Sequence, residues 1–171
     1  MQETGEKIAI VALGSNLPFR DASPAQNLRH AQNALSASGV HVILASHNYT
    51  SPAWPNENDP QFHNAIIAVE TKLSPHALME LLHRIETSCG RTRLRKNAPR
   101  TLDLDLVDYD GFVQSGPPVL PHPRLQDRAF VLKPLAEIAP DWRHPILHRT
   151  AMELLAALPA EARNRVKRVE E

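Results

Sequence analysis

The first part of the chain combines an apolar run with a segment of helical periodicity. Residues Lys7 to Leu13 are rich in Ile, Val and Ala and lead into Gly14-Ser15-Asn16, which predicts a buried strand followed by a turn. A helix is expected next, because Ser23 is placed to cap it, Pro24 suits its first position and Gln26 completes a capping box. The apolar stripe of this helix consists of Leu28, Ala31 and Leu35.

The middle of the chain supplies two more strands, a second helix and a further strand. Strands are expected at Val40 to Tyr49 and at His63 to Leu73, separated by a long polar loop with several prolines, Pro52 to Pro60. Ser74-Pro75 opens the second helix, and Thr101 to Tyr109 alternates with the period of a strand. The resulting order, β-α-β-β-α-β, predicts an α+β fold of the ferredoxin-like plait type, with an antiparallel sheet and both helices on one face.

The residues after Asp110 are predicted to be additions to this plait. They contain a short helical stretch around Phe130 to Ile138 and a C-terminal helix from about Thr150 to Glu171, with Glu153 as its capping-box partner. The chain has 171 residues and shows no internal repeat or low-complexity tract. We therefore expect a single domain, 1–171.

Composition and charge exclude several classes of protein. With 19 Lys+Arg against 19 Asp+Glu, the net charge is zero, so general attraction to nucleic acid or to an anionic membrane is not expected. The single cysteine, Cys89, precludes an internal disulfide, and no apolar run approaches the ~20 residues of a membrane-spanning helix. Because the N-terminus also lacks an apolar signal core, we expect a cytoplasmic protein. From the charge and the short apolar runs we expect no nucleic-acid or membrane partner. We also expect the protein to be a monomer.

The sequence around Asp103 and Asp105 is the first candidate for chemistry. In a strand, successive side chains point to opposite faces, so Leu102, Leu104 and Leu106 face the core and both aspartates face the other way. Two carboxylates at this spacing repel each other when ionised, and a divalent cation such as Mg²⁺ relieves that repulsion. For an isolated Asp-x-Asp, ion pairing with neighbouring arginines is the more common arrangement.

A cluster of positive charge directly precedes this strand. Between Arg84 and Arg100 the chain has six basic residues and one acidic residue, Glu86. Arginine side chains bind phosphate oxygens in bidentate geometry, so a cationic loop beside a metal site favours a triphosphate ligand. RNA binding on this fold would use aromatic residues on the sheet, and aromatics are only 5% of the chain. A P-loop enzyme is excluded because the glycine-rich phosphate-binding motif is missing.

A second group of residues is suited to holding a flat heterocycle. Phe62 and Asn64 flank the start of the third predicted strand, and Phe130 follows Arg128. Two phenylalanines would stack on the ring while the amide of Asn64 offers a donor and an acceptor to its edge. On their own, both phenylalanines would be interpreted as core residues.

Taken together, these motifs resemble the hydroxymethyldihydropterin pyrophosphokinases. The resemblance runs from Ile8 to about Pro140, and its order and spacing are specific to that family. Its landmarks are Ala12-Leu13-Gly14-Ser15-Asn16-Leu17, Phe62-His63-Asn64-Ala65, Arg84-Ile85-Glu86, Gly90-Arg91, Pro99-Arg100-Thr101-Leu102-Asp103-Leu104-Asp105, Pro121-His122-Pro123 and Arg128-Ala129-Phe130-Val131-Leu132.

The resemblance implies a reaction and a role for each matched residue. Pyrophosphate would pass from ATP to the hydroxymethyl group of 6-hydroxymethyl-7,8-dihydropterin, with release of AMP, in folate biosynthesis. Asp103 and Asp105 would hold two Mg²⁺ ions as catalytic ligands. The phosphate and nucleotide end would be served by Arg91, Arg93, Arg100, His122 and Arg128, with Glu86 nearby. The pterin would be bound by Phe62, Phe130, Asn64 and the backbone around Ser51 and Ala53.

Two other functions use the same residues. A metal-dependent phosphodiesterase or nuclease would employ both aspartates without a pterin, and a non-catalytic ferredoxin-like binding module would pair them with Arg91 or Arg100. A zinc site is disfavoured because the histidines show no ligand spacing, and His144 and His148 lack the glutamate of a metalloprotease helix. Pterin-dependent production of AMP distinguishes the transferase from both rivals.

Overall fold

A central antiparallel sheet organises the protein, described here from a computed structural model that covers residues 5–92 and 96–170. The predicted strands and helices form β1 (Lys7–Ser15), α1 (Pro24–Ala37), β4 (Phe62–Thr71), α2 (Pro75–Ser88) and β5 (Asp103–Tyr109). Strands β5, β1 and β4 lie side by side, and β2 (His41–Ala45) pairs with the far edge of β4. This order, with every pairing antiparallel, confirms the ferredoxin-like plait.

Both faces of the sheet are covered. On one face, Val11 and Leu13 of β1 pack against α1 and α2, so the two helices share a face as predicted. On the other face, Ile10 of β1 and Ile66 of β4 pack against α3 (Ala129–Ile138) and α4 (Ala151–Ala157). The C-terminal additions therefore close a second core, which is why β1 is a nearly continuous apolar run and not an alternating one.

The strand predicted at 40–49 is interrupted, which corrects the expectation from sequence. It divides into β2 and β3 (Tyr49–Ser51), and both pair with β4. Ala45 lies opposite Ile67 and Tyr49 opposite Asn64, so residues 46–48 face only residues 65–66 and form a bulge. Ser46 Oγ accepts the hydrogen bond of Ile66 N at 3.0 Å, replacing a backbone partner.

The predicted C-terminal helix is also wrong in its extent. It begins at Thr150 with the expected capping box, but α4 ends at Ala157, and a separate α5 (Ala160–Asn164) and a two-residue β6 (Lys167–Arg168) follow. Leu158 adopts extended backbone, since it precedes Pro159 and a proline disfavours helical conformation in the residue before it. Strand β6 pairs with the outer edge of β3.

A glycine fixes the end of α2, the helix that precedes the aspartate strand. Gly90 ends α2 at a positive φ of 72°, and a Cβ at this position would lie 2.3 Å from the ring of Phe19. The turn therefore requires glycine for both conformation and space.

Within residues 5–92 and 96–170, none of the helices has the length and apolar character needed to traverse a bilayer.

A buried amide joins α1 to both ends of the site. Asn27 is fully buried, and its Nδ2 donates to the carbonyl oxygens of Leu17 and Thr101, each at 3.0 Å. Ser15 Oγ donates to the same Thr101 oxygen at 2.6 Å. The turn after β1 is thereby held against the residues that lead into Asp103.

We expect Asn27→Ala to lower the free energy of unfolding by roughly 1–3 kcal/mol, because the carbonyl oxygens of Leu17 and Thr101 each lose a buried amide donor. Urea denaturation followed by circular dichroism measures the change. Gln26→Ala is the control, since it alters an exposed capping residue one position away and should cost less than about 1 kcal/mol. Equal stability of the two variants would contradict the proposed role of the amide.

Candidate active site

The two aspartates predicted as metal ligands lie together on one face of β5. Leu104 and Leu106 are buried in the core beneath the sheet, whereas Asp103 and Asp105 keep 25% and 34% of their side-chain surface exposed. The alternation predicted from the sequence is therefore confirmed. Among the described residues β5 pairs only with β1, so no strand lies along its other edge beside the two carboxylates.

Two arginines hold Asp103. Arg91 Nη1 donates to Oδ1 at 2.7 Å, and Arg100 Nη1 donates to Oδ2 at 3.0 Å. Both carboxylate oxygens thus have a cationic partner, which is the ion pairing that the non-catalytic alternative required. The same two guanidinium groups are also suited to donating hydrogen bonds to the oxygens of a phosphate group bound beside Asp103.

Glu86 lies behind this pair. It is 3% exposed on α2, and its Oε1 accepts the backbone N–H of Leu104 at 2.8 Å while also pairing with Arg91. The amide of Leu104 is thereby satisfied on the edge of the sheet that has no strand neighbour. Glu86 therefore connects α2, the backbone of β5 and the arginine that holds Asp103.

The environment of Asp105 is different from that of Asp103. Arg128 Nη1 lies 3.5 Å from Asp105 Oδ2, a weaker contact than either arginine makes with Asp103. The pKa of Asp105 is raised to about 6. Burial is the largest cause and the charge of Asp103 acts in the same direction, while Arg128, Arg91 and Arg100 oppose the rise. One of the two carboxylates therefore holds a proton more readily than an ordinary aspartate does.

A cavity of about 310 Å³ opens beside the aspartates. Its wall combines carboxylates, arginines, aromatic rings and the backbone of β1, where a Cβ on Gly14 would lie 3.7 Å from both Phe62 and Asn64. The predicted site residues that line it are Ser51, Phe62, Asn64, Arg100, Asp103, Asp105, Arg128 and Phe130.

The aromatic half of this cavity matches the group predicted to hold a heterocycle. Phe130 is 37% exposed on the first turn of α3, and the guanidinium of Arg128 lies 5.6 Å from its ring centroid. The guanidinium of Arg100 lies 6.0 Å from the ring centroid of Phe62. Asn64 is buried, and its Nδ2 donates to Ser51 Oγ at 2.9 Å, which fixes the orientation of the amide.

A second cavity, of about 390 Å³, lies on the other side of Asp105. Its wall includes Met79, Leu106, Val119 and His122. Burial lowers the pKa of His122 to about 4, helped by Arg128 and Arg124, so its imidazole is neutral at physiological pH. Because Nδ1 accepts the backbone N–H of Arg124 at 3.2 Å, the proton resides on Nε2.

Four of the predicted residues that the structure describes do not line the cavity that contains Phe62 and Phe130 in its wall. Ala53 is buried between two residues that do, Pro52 and Trp54. Glu86 is packed beneath Arg91 as described above, and Arg93 lies outside the described residues. His122 and Arg91 lie outside this cavity, on the side of the aspartates where the second cavity and a groove beside α2 are found.

The structure also brings in residues that the sequence interpretation missed. Trp54, Asn97, Arg124 and Asp127 all line the cavity beside the aspartates. Trp54 could have been identified from the sequence, because a large aromatic residue is unusual in a polar loop. In the structure its side chain is 66% exposed. Asp127 lies in the 3₁₀ turn Leu125–Asp127, which sequence periodicity does not reveal.

Comparison with known proteins decides the family. The family model described as 7,8-dihydro-6-hydroxymethylpterin-pyrophosphokinase (HPPK) matches residues 10–140, which is well over half of the chain. The chain belongs to the HPPK family. The match begins in β1 and ends just after α3, so it includes every described residue that lines the two cavities.

Curated relatives of the HPPK family agree over nearly the whole chain. The 2-amino-4-hydroxy-6-hydroxymethyldihydropteridine pyrophosphokinase of Methylorubrum extorquens is 39% identical over 160 residues, covering 93% of this chain and 98% of the relative. The Pseudomonas aeruginosa protein of the same name is 39% identical over 158 residues, covering 91% and 94%. The reaction of the family is therefore the activity of this chain.

Solved structures of the family show the same fold. Wild-type Plasmodium falciparum HPPK-DHPS matches with a TM-score of 0.69 at 13% identity, covering 91% of this chain and 45% of that one. A triple mutant of the same protein, solved with pteroate, matches with a TM-score of 0.74 at 12% identity, covering 99% and 48%. These comparisons support the ferredoxin-like architecture.

The carboxylates suit the magnesium that ATP-dependent HPPK chemistry implies. Within the described residues, no group of three or more His, Cys, Asp or Glu side chains is placed to hold a metal by itself. Mg²⁺ in nucleotide sites commonly takes one or two carboxylates and completes its octahedron with water and phosphate oxygens. The pair Asp103 and Asp105 fits a site of that kind, because burial and the neighbouring charge of Asp103 raise the pKa of Asp105 when no cation is bound.

In the HPPK fold without ligands, we expect the carboxyl group of Asp105 to titrate near pH 6. Asp103→Asn should lower that pKa, because it removes one negative neighbour and frees Arg91 and Arg100 to act on Asp105. Carboxyl carbon chemical shifts followed by NMR across pH 3 to 8 measure both values. A wild-type midpoint near 4, or a midpoint that Asp103→Asn leaves unchanged, would contradict the stated causes.

Proposed function

We propose that the cleft around Asp103 and Asp105 catalyses the transfer of pyrophosphate from ATP to 6-hydroxymethyl-7,8-dihydropterin, using two Mg²⁺ ions. The observation that supports it most strongly is the position of Asp105, which lines both the aromatic cavity and the cavity beside His122. A group shared by two cavities is where two substrates would meet. The products are AMP and the pterin diphosphate.

The aromatic cavity is assigned to the pterin. Phe62 and Phe130 supply ring surfaces for stacking, and Asn64 is held by Ser51 with its carbonyl oxygen available to the heterocycle. The backbone around Ser51 and Ala53 would read the remaining polar edge. Trp54, on the loop 52–61, lines this cavity while remaining largely exposed, and it would cover the bound ring.

The cavity on the other side of Asp105 is assigned to the nucleotide. Its apolar wall suits a base or a ribose, and the neutral His122 offers an Nε2–H donor to a phosphate oxygen without adding charge. Arg91, Arg100 and Arg128 surround the aspartates at the intervening position, where the triphosphate would lie. Arg93 is expected to join them. Glu86 serves this end indirectly, by orienting Arg91.

Asp103 and Asp105 would hold the two Mg²⁺ ions, which would neutralise charge on the phosphate oxygens. The chain itself contributes alignment, because the described residues of the cleft offer cationic side chains and no activated nucleophile. The hydroxymethyl oxygen would attack the β-phosphorus in line with the bond to the α-phosphate, and AMP would leave without a covalent protein intermediate. Loops 52–61 and 91–99 would exclude water, which limits hydrolysis of ATP.

We expect pterin-dependent formation of AMP from Mg·ATP, and Asp105→Asn should reduce its turnover by roughly 10²- to 10³-fold. The variant should remain folded, because Asp105 lies at the cleft and keeps 34% of its side chain exposed. AMP is quantified by chromatography and stability by thermal unfolding. Failure of the wild-type protein to form AMP, or an equally severe loss of folded protein in the variant, would argue against the proposed role.

Phe130→Ala is expected to weaken binding of the pterin by roughly 10-fold or more, because a stacked ring face is lost. Binding of a nonhydrolysable ATP analogue should change little, since Phe130 does not line the second cavity. Isothermal titration of each ligand measures the two effects separately. Equal weakening of both ligands would show that Phe130 acts through the fold and not through stacking.

A further inference from the structure

The C-terminal segment 159–169 has no part in the assignments above, and it lies beyond the residues that match the family. It consists of α5 and β6 with the turn between them, and we call it the strap. The strap contacts three elements that line the aromatic cavity: β3, α3 and the loop 52–61. Each contact is made by different atoms.

The first contact extends the sheet beside Ser51. In β6, Lys167 pairs with Thr50 and Arg168 with Tyr49, so the strap covers the outer edge of β3. Val169 N donates to Asn48 O at 2.8 Å, which continues the pairing past the strand. The strand that presents Ser51 to the cavity is therefore held between β4 on one side and the strap on the other.

The second contact reaches the helix that presents Phe130. Lys133, one turn further along α3, donates from Nζ to the carbonyl oxygens of Arg163 at 3.1 Å and Val166 at 2.6 Å. Val166 is buried with Ala129 and Tyr49 in a small apolar cluster. An ammonium group thus satisfies the carbonyls at the end of α5 and fixes the strap to α3.

The third contact reaches the loop over the cavity. An open cavity of about 750 Å³ separates the strap from this part of the chain, with Gln61 on one wall and Glu161 and Lys167 on the other. Arg165 Nη2 lies 2.6 Å from Glu57 Oε1, and Glu57 is three residues from Trp54. Because an open cavity lies between the strap and the two ends of the loop at Pro52 and Gln61, the ion pair holds the loop where packed side chains do not.

We propose that the strap positions the pterin half of the site, and that Arg165 is a positioning residue that holds the loop 52–61 beside the aromatic cavity through Glu57. The proposal rests on the assignment of the aromatic cavity to the pterin. The strap does not touch the residues of the second cavity in any contact described above. Its effect should therefore fall on pterin binding and leave nucleotide binding unchanged.

The expected size of the effect follows from exposure. Arg165 and Glu57 keep 43% and 62% of their side chains exposed, and ion pairs of this kind are individually weak. Glu57→Gln and Arg165→Gln should each raise the pterin dissociation constant roughly two- to fivefold. The double variant should be no worse than either single variant, because both changes remove one interaction. The difference should shrink at high salt.

The test is a titration of the reduced pterin, with its dissociation rate by stopped-flow fluorescence, in the presence of Mg²⁺ and a nonhydrolysable ATP analogue. Exchanging the charges, Glu57→Arg with Arg165→Glu, should restore wild-type affinity. Asp110→Asn is the control: it neutralises an ion pair with Lys7 of similar length, 2.8 Å, far from the strap, and asparagine tolerates the φ of 50° found there.

Several results would overturn the proposal. Additive losses in the double variant, no rescue by the exchanged pair, or equal weakening of the ATP analogue would each show that Arg165 and Glu57 act independently or only through stability. If the wild-type protein bound the analogue but no pterin, the cavity assignment itself would be wrong, and the role of the strap with it. If the wild-type protein bound the pterin and the variants bound it with the same affinity, the proposed role of the strap would be refuted while the cavity assignment would stand.

Discussion

The repulsion between two neighbouring carboxylates on β5 is the constraint around which this protein is arranged. Asp103 and Asp105 project from the same face of a strand into a partly buried cleft, where their charges are unfavourable unless cations are near. Arg91 and Arg100 meet that need for Asp103, and Arg128 partly meets it for Asp105. A metal–nucleotide complex would compensate the two carboxylate charges more fully than the arginines do. The repulsion between the carboxylates therefore favours binding of Mg·ATP.

Buried groups behind the cleft keep the cations in place. Glu86 bonds to the backbone of β5 and to Arg91, so the arginine has a fixed position relative to the strand that it serves. Asn16 has a similar function for Arg100: its Oδ1 accepts the backbone N–H of Arg100 at 2.8 Å, and its Nδ2 donates to Pro60 O at 2.9 Å. Arg100 and Pro60, which stand at the ends of two loops beside the site, are thereby attached to the turn after β1.

Much of this could be predicted from the sequence because the signals were local. The leucine–aspartate alternation of β5, the capped starts of α1 and α4 and the order of elements all depend on neighbours within a few residues. The bulge at 46–48 could not, since it depends on which residues of β4 lie opposite. The role of Glu86 was equally hidden, because its partner Leu104 lies on another element.

Helix α3 both packs in the hydrophobic core and contributes a side chain to the aromatic cavity. Its Leu132 and Leu135 are fully buried in the core on the second face of the sheet, while Phe130, two residues before Leu132, forms a wall of the aromatic cavity. The position of a recognition residue is thus set by hydrophobic packing and not by a surface loop. Substitutions that loosen this core without unfolding it would appear as conditional, temperature-sensitive defects in substrate affinity, in a protein whose catalytic side chains are all intact.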